Sequence, residues 1–597
     1  MKSFNTISSW IKRNQVICLF IILFIVFNLN LRTINSGDTI PASLLPFNIL
    51  ENHNVYFDDY KHYYESFGGK TYYFYDTGEH IVSNYPIVLP VLITPLYVVP
   101  YAILKLIQCP IDIYNPGFQL SVMYMEMLSA SIIASISSIF IFLSLRELIN
   151  SRVAIFGSLV YAFATNTWTI SSQALWQQGM VELLLSIMIF LVIINEKRDD
   201  CKNIIYLGIL SGLFVFNRPS DSLLLLPIAF YVLAYKTKKI HYYVLPMAVT
   251  GLPFLVYNLC YFGSVFGGYN SLLSWFSVGH ETLVKFSGML ISPGRGLFIF
   301  TPIILTGIIG LFRVDKIKNP RIQNFLYVSL VSIFLLTLMY STFDCWWAGW
   351  SYGPRFLTGA LPVLIIFIGL SIPISIGSGN PTKKELGYYT VFAVLLILSV
   401  FVQITGSFYY PNGNWDGDTS PIIGKKLWDW QDNQITRSFN AGAFGPQNPL
   451  WNAGVVLESK RFSILDADAN VSIKYGNGWY GIETSNDKGL QWMSDNSTLL
   501  VTTKERGKYD VSTEALSHYR PRTMNILVNG ELIGEHRVGN GFVSINSTVE
   551  LKKGMNEIMF TSPEGSQRPC DIPELNCGGD MRNLSFMFRS INIHKAD

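Results

Sequence analysis

Eleven apolar stretches, each about as long as a membrane-spanning helix, constrain this chain more than any other feature of its sequence. A bilayer core offers no water to backbone N–H and C=O groups, so stretches of this kind fold as helices. They cover roughly residues 15–31, 120–145, 153–170, 179–195, 203–217, 221–235, 241–262, 296–312, 322–341, 356–377 and 387–406. We therefore predict a polytopic α-helical membrane protein with about 11–13 transmembrane helices.

Lysine and arginine residues in the short loops predict the orientation, because they concentrate on the cytoplasmic side of a membrane. They occur before the first stretch and in five later loops, at Lys2, Lys12, Arg13, Arg146, Arg152, Lys197, Arg198, Lys202, Lys236, Lys238, Lys239, Arg313, Lys316, Lys318, Arg321, Lys383 and Lys384. This pattern predicts a cytoplasmic N-terminus and, with an odd number of crossings, an extracytoplasmic C-terminal domain on a cell (plasma or inner) membrane. Residues 84–108 must then return to the outer side. Their four prolines favour a re-entrant or interfacial piece, or two short crossings.

The last third of the chain has the composition of a soluble domain. About a fifth of residues 407–597 are charged, against about a tenth of residues 1–406. Short alternating apolar patterns and the pair Asn529-Gly530, a strong hairpin signal, predict an extracytoplasmic β-sandwich of jelly-roll type. The predicted domains are a transmembrane domain at 1–406 that includes a first outer loop at 32–83, an irregular connector at 407–470 and the β-sandwich at 471–597.

The cysteines and the charge balance exclude several classes of protein. The seven cysteines form no CxxC pair, so zinc or thioredoxin-type chemistry has no support. Cys570 and Cys577 are the only close pair, and in an exported domain they favour a small-loop disulfide. A net charge of +3 gives no basic excess for nucleic-acid binding, and 50% hydrophobic residues exclude a disordered chain.

The first outer loop contains the acidic residues that are the first candidates for chemistry. Asp38 follows the first apolar stretch by a few residues, at the expected outer membrane surface, where a carboxylate is suited to act as a general base on a hydroxyl. The alternative is a helix cap, in which Ser36 or Asp38 caps a helix beginning near Pro41. Asp58 and Asp59 lie among tyrosines and could hold a sugar or a cation, or belong to a solvated loop.

A second group of candidates combines aromatic rings with amide side chains at an outer membrane boundary. Its members are Trp168, Gln173, Trp176, Gln177 and Gln178, followed a turn later by Glu182. Flat rings and fork-like amides suit a carbohydrate site, whereas tryptophan alone would indicate an aromatic belt. A carboxylate inside a membrane segment is costly, which favours a functional interpretation.

Three arginines lie at outer turns that proline or glycine interrupts: Arg218, Arg295 and Arg355. They oppose the inward bias of positive charge, so the interpretation as topology anchors is weaker than a phosphate-binding role. Arginine binds phosphate oxygens in a bidentate manner, and broken helices expose backbone N–H groups to anions. The loop of Arg355 also carries Asp344, Trp346, Trp347, Trp350 and Tyr352.

Taken together, these segments resemble the GT-C superfamily of polytopic glycosyltransferases, which includes protein O-mannosyltransferases and the aminoarabinose transferases of lipid A. The resemblance covers most of residues 1–406. It rests on Asp38 in SGDTIP and on the segments SSQALWQQGMVEL, NRPSD, SPGRGLF and WWAGWSYGPRFLTGALP.

The resemblance implies a reaction and its participants. The donor is a sugar on a polyprenyl phosphate, the acceptor is a glycan, lipid or protein hydroxyl, and the transfer inverts the anomeric centre. Asp38 would act as base, and Arg218, Arg295 or Arg355 would hold the phosphate. No nucleotide site is needed; no cofactor is certain, although a divalent cation is compatible with the resemblance. In several members a second acid accompanies the first, whereas here Thr39 follows Asp38.

Other functions stay open at the level of the sequence. A transporter or flippase for a lipid-linked saccharide needs similar groups, but places them near mid-membrane between internal repeats, and the sequence contains no such repeat. An oligosaccharide ligase or polymerase with a pyrophosphate-linked donor, or a scaffold that binds partners through its β-domain, would also fit.

Overall fold

The computed structural model of the protein describes residues 14–66, 71–372, 383–417, 426–443, 449–485, 488–574 and 580–596. The chain divides into two compact units. The first, which we call the helical unit, comprises Met1–Pro46, Ser83–Pro95 and Met123–Gln447. The second, the β unit, comprises Phe47–Val82, Leu96–Val122 and Asn448–Asp597.

Helices dominate the chain up to the last third. They are α1 Gln15–Phe27, α2 Ile40–Asn52, α3 Lys61–Ser66, α4 Val88–Leu106, α5 Pro116–Leu148, α6 Ser151–Phe163, α7 Gln177–Arg198, α8 Cys201–Asn217, α9 Leu226–Tyr235, α10 His241–Phe262, α11 Thr282–Ile291, α12 Leu297–Phe300, α13 Gly307–Leu311, α14 Pro320–Ser341, α15 Leu361–Ser371, α16 Lys383–Phe408, α17 Gln434–Ala441 and α18 Pro449–Leu457.

Six helices among the described residues, α4, α5, α7, α10, α14 and α16, are long and apolar enough to cross a membrane. The prediction of a polytopic helical membrane protein is therefore confirmed. The other predicted spans contain shorter helices, because proline and irregular turns divide them. The stretch 296–312, for example, breaks at Pro302, where a five-residue 3-10 turn separates α12 from α13.

Residues 84–108 contain one continuous helix, α4, and not two short crossings. Pro90 lies in its first turn, where a missing N–H leaves no hydrogen bond unmade. Further along, the Thr94 hydroxyl donates to the Pro90 carbonyl at 2.8 Å. Near the end of α4, Tyr101 and Lys105 each donate to the Glu51 carboxylate at 2.8 Å, so this end packs beside the end of α2.

The β unit contains a sandwich of two sheets, as the alternating patterns predict. Its strands are β3 Leu465–Ala467, β4 Val471–Tyr475, β5 Trp479–Ser485, β6 Lys488–Met493, β7 Asn496–Thr503, β8 Gly507–Ser517, β9 Arg522–Val528, β10 Glu531–Val538, β11 Val543–Leu551, β12 Gly554–Thr561 and β13 Phe586–Lys595, after a separate pair, β1 Phe74–Asp76 and β2 Ile81–Ser83. One sheet has the order β10-β9-β12-β7-β4 and the other β11-β8-β13-β6-β5, with β3 parallel to β13. Their facing side chains form one apolar core that includes Trp479, Phe560 and Phe588.

The hairpin at Asn529 and Gly530 is confirmed. It joins β9 to β10 with φ values of 50° and 86°, the left-handed conformation that a two-residue hairpin turn requires. Cys577 lies outside the described residues, so the disulfide between Cys570 and Cys577 stays a prediction.

The two units differ from the predicted domains. Parts of the predicted transmembrane domain, Phe47–Val82 and Leu96–Val122, group with the strands. The contacts responsible join distant parts of the chain. Asn115 donates to the Ser459 carbonyl at 3.1 Å, and Lys474 pairs with Asp59 at 2.9 Å.

Candidate active site

Asp38 lies in a short 3-10 turn directly before α2. The Ser36 side chain caps this turn by accepting a hydrogen bond from the Asp38 backbone N–H at 3.3 Å. The carboxylate of Asp38 is therefore not the cap and contacts other side chains. Its Oδ2 lies 2.6 Å from Arg355 Nη1, and its Oδ1 accepts a hydrogen bond from the Tyr85 hydroxyl at 2.9 Å.

Arg355 is oriented by two contacts besides Asp38. Its Nη2 donates to the Ala348 carbonyl at 2.7 Å, and its guanidinium carbon lies 4.3 Å from the centroid of the Trp176 ring. A guanidinium stacks favourably on a tryptophan face. Trp176 is in turn fixed by a hydrogen bond from its indole N–H to the Ile34 carbonyl at 3.3 Å. The predicted tryptophan thus serves as a platform for the predicted arginine.

Arg218 follows α8 and is surrounded by polar partners. Its Nε lies 3.0 Å from Asp221, its Nη1 donates to Gln177 at 3.2 Å, and its Nη2 donates to the Tyr340 hydroxyl at 3.1 Å. With its amide oxygen turned toward the guanidinium, Gln178 accepts from both terminal nitrogens at 3.2 Å. Both predicted glutamines therefore bind the predicted arginine.

The two arginines share one wall of a cavity. The Phe356 ring lies beside both guanidinium groups, 5.6 Å from that of Arg218 and 5.8 Å from that of Arg355. The cavity has a volume of about 370 Å³, within the range of small-molecule sites. Its polar lining includes Asp38, Tyr85, Arg218, Tyr269 and Arg355, and its apolar lining includes Phe266, Leu272, Leu273, Phe276, Met339 and Phe343.

Two tyrosines complete the polar part of this cavity. Their rings pack edge to face at 6.1 Å. Burial raises the pKa of Tyr85 well above its ordinary value, and the charge of Asp38 raises it further. Burial also raises the pKa of Tyr269. Both hydroxyls therefore stay protonated and donate hydrogen bonds, Tyr85 to Asp38 and Tyr269 to Gln177.

Arg295 is not among the described residues that line this cavity. It is 2% exposed, and its Nη2 lies 2.7 Å from Asp416. It also donates to the carbonyls of Trp347 and Gly349, both at 2.7 Å. A guanidinium with these partners holds the loop before Arg355 in place. The structure therefore separates Arg295 from the other two predicted phosphate ligands.

Asp58 and Asp59 belong to the β unit and engage residues of that unit. Asp58 lies 2.7 Å from His80 Nδ1 and accepts from the Ile81 backbone N–H at 2.8 Å. Asp59 pairs with Lys474. Neither acid is among the described residues around the cavity of Asp38.

The remaining predicted residues lie outside the cavity lining as the described residues define it. Glu182 is fully buried in α7 and accepts from the Thr167 hydroxyl at 3.0 Å. Asp344 is more than half exposed and pairs with Lys285 at 3.2 Å. Trp347 contributes its carbonyl to Arg295. Within the described parts of the chain, no group of three His, Cys, Asp or Glu residues could hold a metal ion.

The sequence analysis missed four polar residues of the site: Tyr85, Asp221, Tyr269 and Tyr340. Asp221 stood within the segment NRPSD, where its spacing of three from Arg218 was the available signal for an ion pair. The tyrosines lie in segments without a recognisable motif, and only the fold brings them to the cavity.

Comparisons with known proteins give structural matches only. No family model matches the chain, and no curated protein matches it. Two structural matches extend over about three quarters of this chain. ArnT from Cupriavidus metallidurans, bound to undecaprenyl phosphate, matches with 11% identity over 75% of this chain and 77% of that chain, with a TM-score of 0.40. The archaeal oligosaccharyltransferase AglB from Archaeoglobus fulgidus, in complex with an inhibitory peptide and a dolichol-phosphate, matches with 12% identity over 75% of this chain and 64% of that chain, also with a TM-score of 0.40.

A further match covers a smaller part of the chain. The GH26-CBM35 β-(1,4)-mannanase from Podospora anserina matches with 16% identity over 22% of this chain and 28% of that chain, with a TM-score of 0.16. This chain thus matches under a third of the mannanase. Because all three TM-scores are below 0.5, no argument about this protein rests on these similarities.

Proposed function

We propose that this protein is a membrane glycosyltransferase of the GT-C kind. It moves a sugar from a polyprenyl-phosphate donor to an acceptor hydroxyl on the extracytoplasmic face. The observation that carries the proposal is the convergence of Asp38, Arg218 and Arg355 on one cavity whose remaining wall is largely apolar. A base, two phosphate-binding cations and an apolar surface are the groups that this reaction needs.

The arginines fit the donor phosphate. Both lie in the wall of the cavity and are at most 9% exposed, so a phosphate there would be largely removed from water, which strengthens its attraction to the guanidinium groups. The apolar residues Phe266, Leu273 and Phe276 offer a surface for the first isoprene units. Positive charge beside the leaving phosphate would also stabilise the charge that grows on it in the transition state.

Asp38 would act as the base. The acceptor hydroxyl oxygen forms a bond to the anomeric carbon, the bond from that carbon to the phosphate oxygen breaks, and the phosphate leaves with the bonding electrons. The acceptor proton passes to Asp38, and attack from the face opposite the phosphate inverts the centre. In the ligand-free protein Asp38 is paired with Arg355. Donor phosphate would compete for this arginine and make the carboxylate available.

The test combines three conservative variants in vesicles that contain lipid-linked sugar donors and cell-envelope acceptors. Asp38→Asn should lower transfer by about 10²- to 10⁴-fold, the usual contribution of a general base, while undecaprenyl phosphate still binds. Arg218→Lys and Arg355→Lys should chiefly weaken binding of undecaprenyl phosphate, because lysine lacks the bidentate fork. The control Arg321→Lys changes an exposed arginine of the short loop before α14 and should have no effect.

Two results would contradict the proposal. Transfer at the wild-type rate by Asp38→Asn would remove Asp38 as base. Movement of a lipid-linked saccharide across the membrane without transfer, unaffected by Asp38→Asn, would favour a transporter or flippase. Consumption of only a pyrophosphate-linked donor would favour a ligase or polymerase.

A further inference from the structure

A second cavity, of about 360 Å³, lies entirely within the β unit. Its wall is built from three parts of the chain: the segment around α3, the residues just before α5, and strands β3 and β4. Its polar lining includes Glu51, Asp59, His62, Asp112, Lys474 and Tyr475. The proposed transfer reaction at Asp38 uses none of these residues.

The charges of this cavity favour a neutral ligand over an anion. Its lining contains four carboxylates, at Glu51, Asp59, Asp112 and Asp466, against one lysine. That lysine, Lys474, is already paired with Asp59 at 2.9 Å. An anionic ligand would therefore meet uncompensated negative charge. Carboxylate oxygens instead accept hydrogen bonds from hydroxyl groups.

Two buried polar groups in the wall lack hydrogen-bond partners among the described residues. They are the Tyr475 hydroxyl and His62 Nε2. Tyr475 is 7% exposed and His62 is 6% exposed. The nearest acid to the imidazole, Asp112, lies 3.6 Å away, which is beyond hydrogen-bond distance. Buried polar groups in native proteins are nearly always satisfied, so these two atoms indicate that a further group completes the wall.

We propose that this cavity binds a neutral saccharide. Its hydroxyls would donate to Asp59 and Asp112, and one of them would accept from the Tyr475 hydroxyl after a small shift of the ring. The volume is within the range of small-molecule sites. The identification of this saccharide as part of the acceptor chain rests on the proposed function, whereas saccharide binding itself does not.

The experiment measures saccharide binding to the full chain in detergent micelles by isothermal titration. The probes are neutral tetrasaccharides of glucose, mannose or galactose, and tetragalacturonate as the anionic counterpart. We expect at least one neutral probe to bind, with tetragalacturonate at least about tenfold weaker because of the carboxylates.

Two variants test the wall. Asp112→Asn keeps the shape of the side chain and should weaken binding of the neutral probe by about tenfold, since a hydrogen bond to a charged group is lost. Tyr475→Phe removes only the hydroxyl and should weaken binding by about fivefold. In the ligand-free protein the same change should preserve or raise the melting temperature, because it removes a buried polar atom without a partner. The control Glu79→Gln removes an exposed charge of the β unit away from the cavity and should bind like the wild type.

The proposal is overturned if no neutral probe binds, if tetragalacturonate binds as tightly, or if both wall variants bind like the wild type. Its failure is distinguishable from failure of the proposed function. Arg218→Lys should lose undecaprenyl phosphate binding but keep saccharide binding, and Asp112→Asn should do the reverse.

Discussion

The pairing of Arg355 with Asp38 sets the order of events at the scale of single residues. Asp38 Oδ2 lies 2.6 Å from the guanidinium, and its Oδ1 is bound by Tyr85. An arginine held between a carboxylate and an approaching phosphate can change partners without leaving the Trp176 ring that it stacks on. We therefore expect donor binding to precede activation of the acceptor.

Cys345 provides a native probe of donor binding, because this thiol lines the cavity of Asp38. Undecaprenyl phosphate should slow its alkylation by N-ethylmaleimide, as measured by mass spectrometry of the peptide. Burial raises the pKa of the thiol, and the neighbouring Asp344 adds to this effect, so less of the reactive thiolate exists at neutral pH. Alkylation should therefore accelerate as the pH rises above neutrality. Equal rates with and without the lipid would argue against a donor in this cavity.

Asp221 should stabilise the site through its buried ion pair with Arg218. Asp221→Asn should cost about 3 kcal/mol of stability, because it leaves a buried guanidinium without its counter-charge. Undecaprenyl phosphate should restore part of this loss, so its effect on the melting temperature should be larger in the variant than in the wild type. Asp315→Asn, at an exposed position before α14, is the matched control. A smaller effect of the lipid on Asp221→Asn would contradict phosphate binding at Arg218.

Residue types predicted the charged members of the site better than its hydrogen-bonding members. Arginines at outer turns oppose the usual charge bias, so Arg218 and Arg355 were recognisable. The same reasoning selected Arg295, because a sequence does not reveal that Asp416, far along the chain, neutralises it. Tyrosines such as Tyr85 and Tyr269 are common at membrane surfaces and carried no distinguishing signal.

At the scale of elements, the hairpin between β9 and β10 depends on glycine for a purely conformational reason. Gly530 has a φ of 86°, and no atom lies within 4 Å of a Cβ placed there. Gly530→Ala should therefore destabilise the β unit by about 1 kcal/mol through the left-handed conformation alone. Gly539 also has open space but no positive φ, so Gly539→Ala is the matched control. Equal thermal shifts for the two variants would contradict this explanation.

Alternation predicted most strands but not all of them. In β8 the inward-facing residues include Thr513 and Ala515, which are too small or too polar to stand out from their outward-facing neighbours. The prolines of α4 misled in the opposite direction, because a helix tolerates a proline in its first turn. In both cases packing decided the structure where local sequence was ambiguous.

At the scale of the whole molecule, the proposed reaction requires the β unit to face outward. Lysines and arginines of the short loops predict this orientation, with the loop of Lys238 in the cytoplasm. In intact cells a membrane-impermeant maleimide should label a cysteine introduced as Glu505→Cys and should not label one introduced as Lys238→Cys. Both positions are exposed, so the comparison reports the side of the membrane. The reverse pattern would place the β unit in the cytoplasm and contradict the proposed sidedness.

The membrane class and the β-sandwich were predictable from composition and periodicity, but the grouping of segments into units was not. Contacts such as that of Lys474 with Asp59 join residues hundreds of positions apart, and periodicity carries no information about them. The same limit explains why Asp59 was a candidate beside Asp38 in the sequence and belongs to a different unit in the structure.

The most direct test of the central claim is a structure of the protein with undecaprenyl phosphate. The account predicts the phosphate in the cavity lined by Asp38, within hydrogen-bond distance of both Arg218 and Arg355, and the isoprenoid chain against Phe266 and Leu273. Arg355 should have moved from Asp38 toward the phosphate. A phosphate bound elsewhere, with the ion pair of Asp38 and Arg355 intact, would contradict the account.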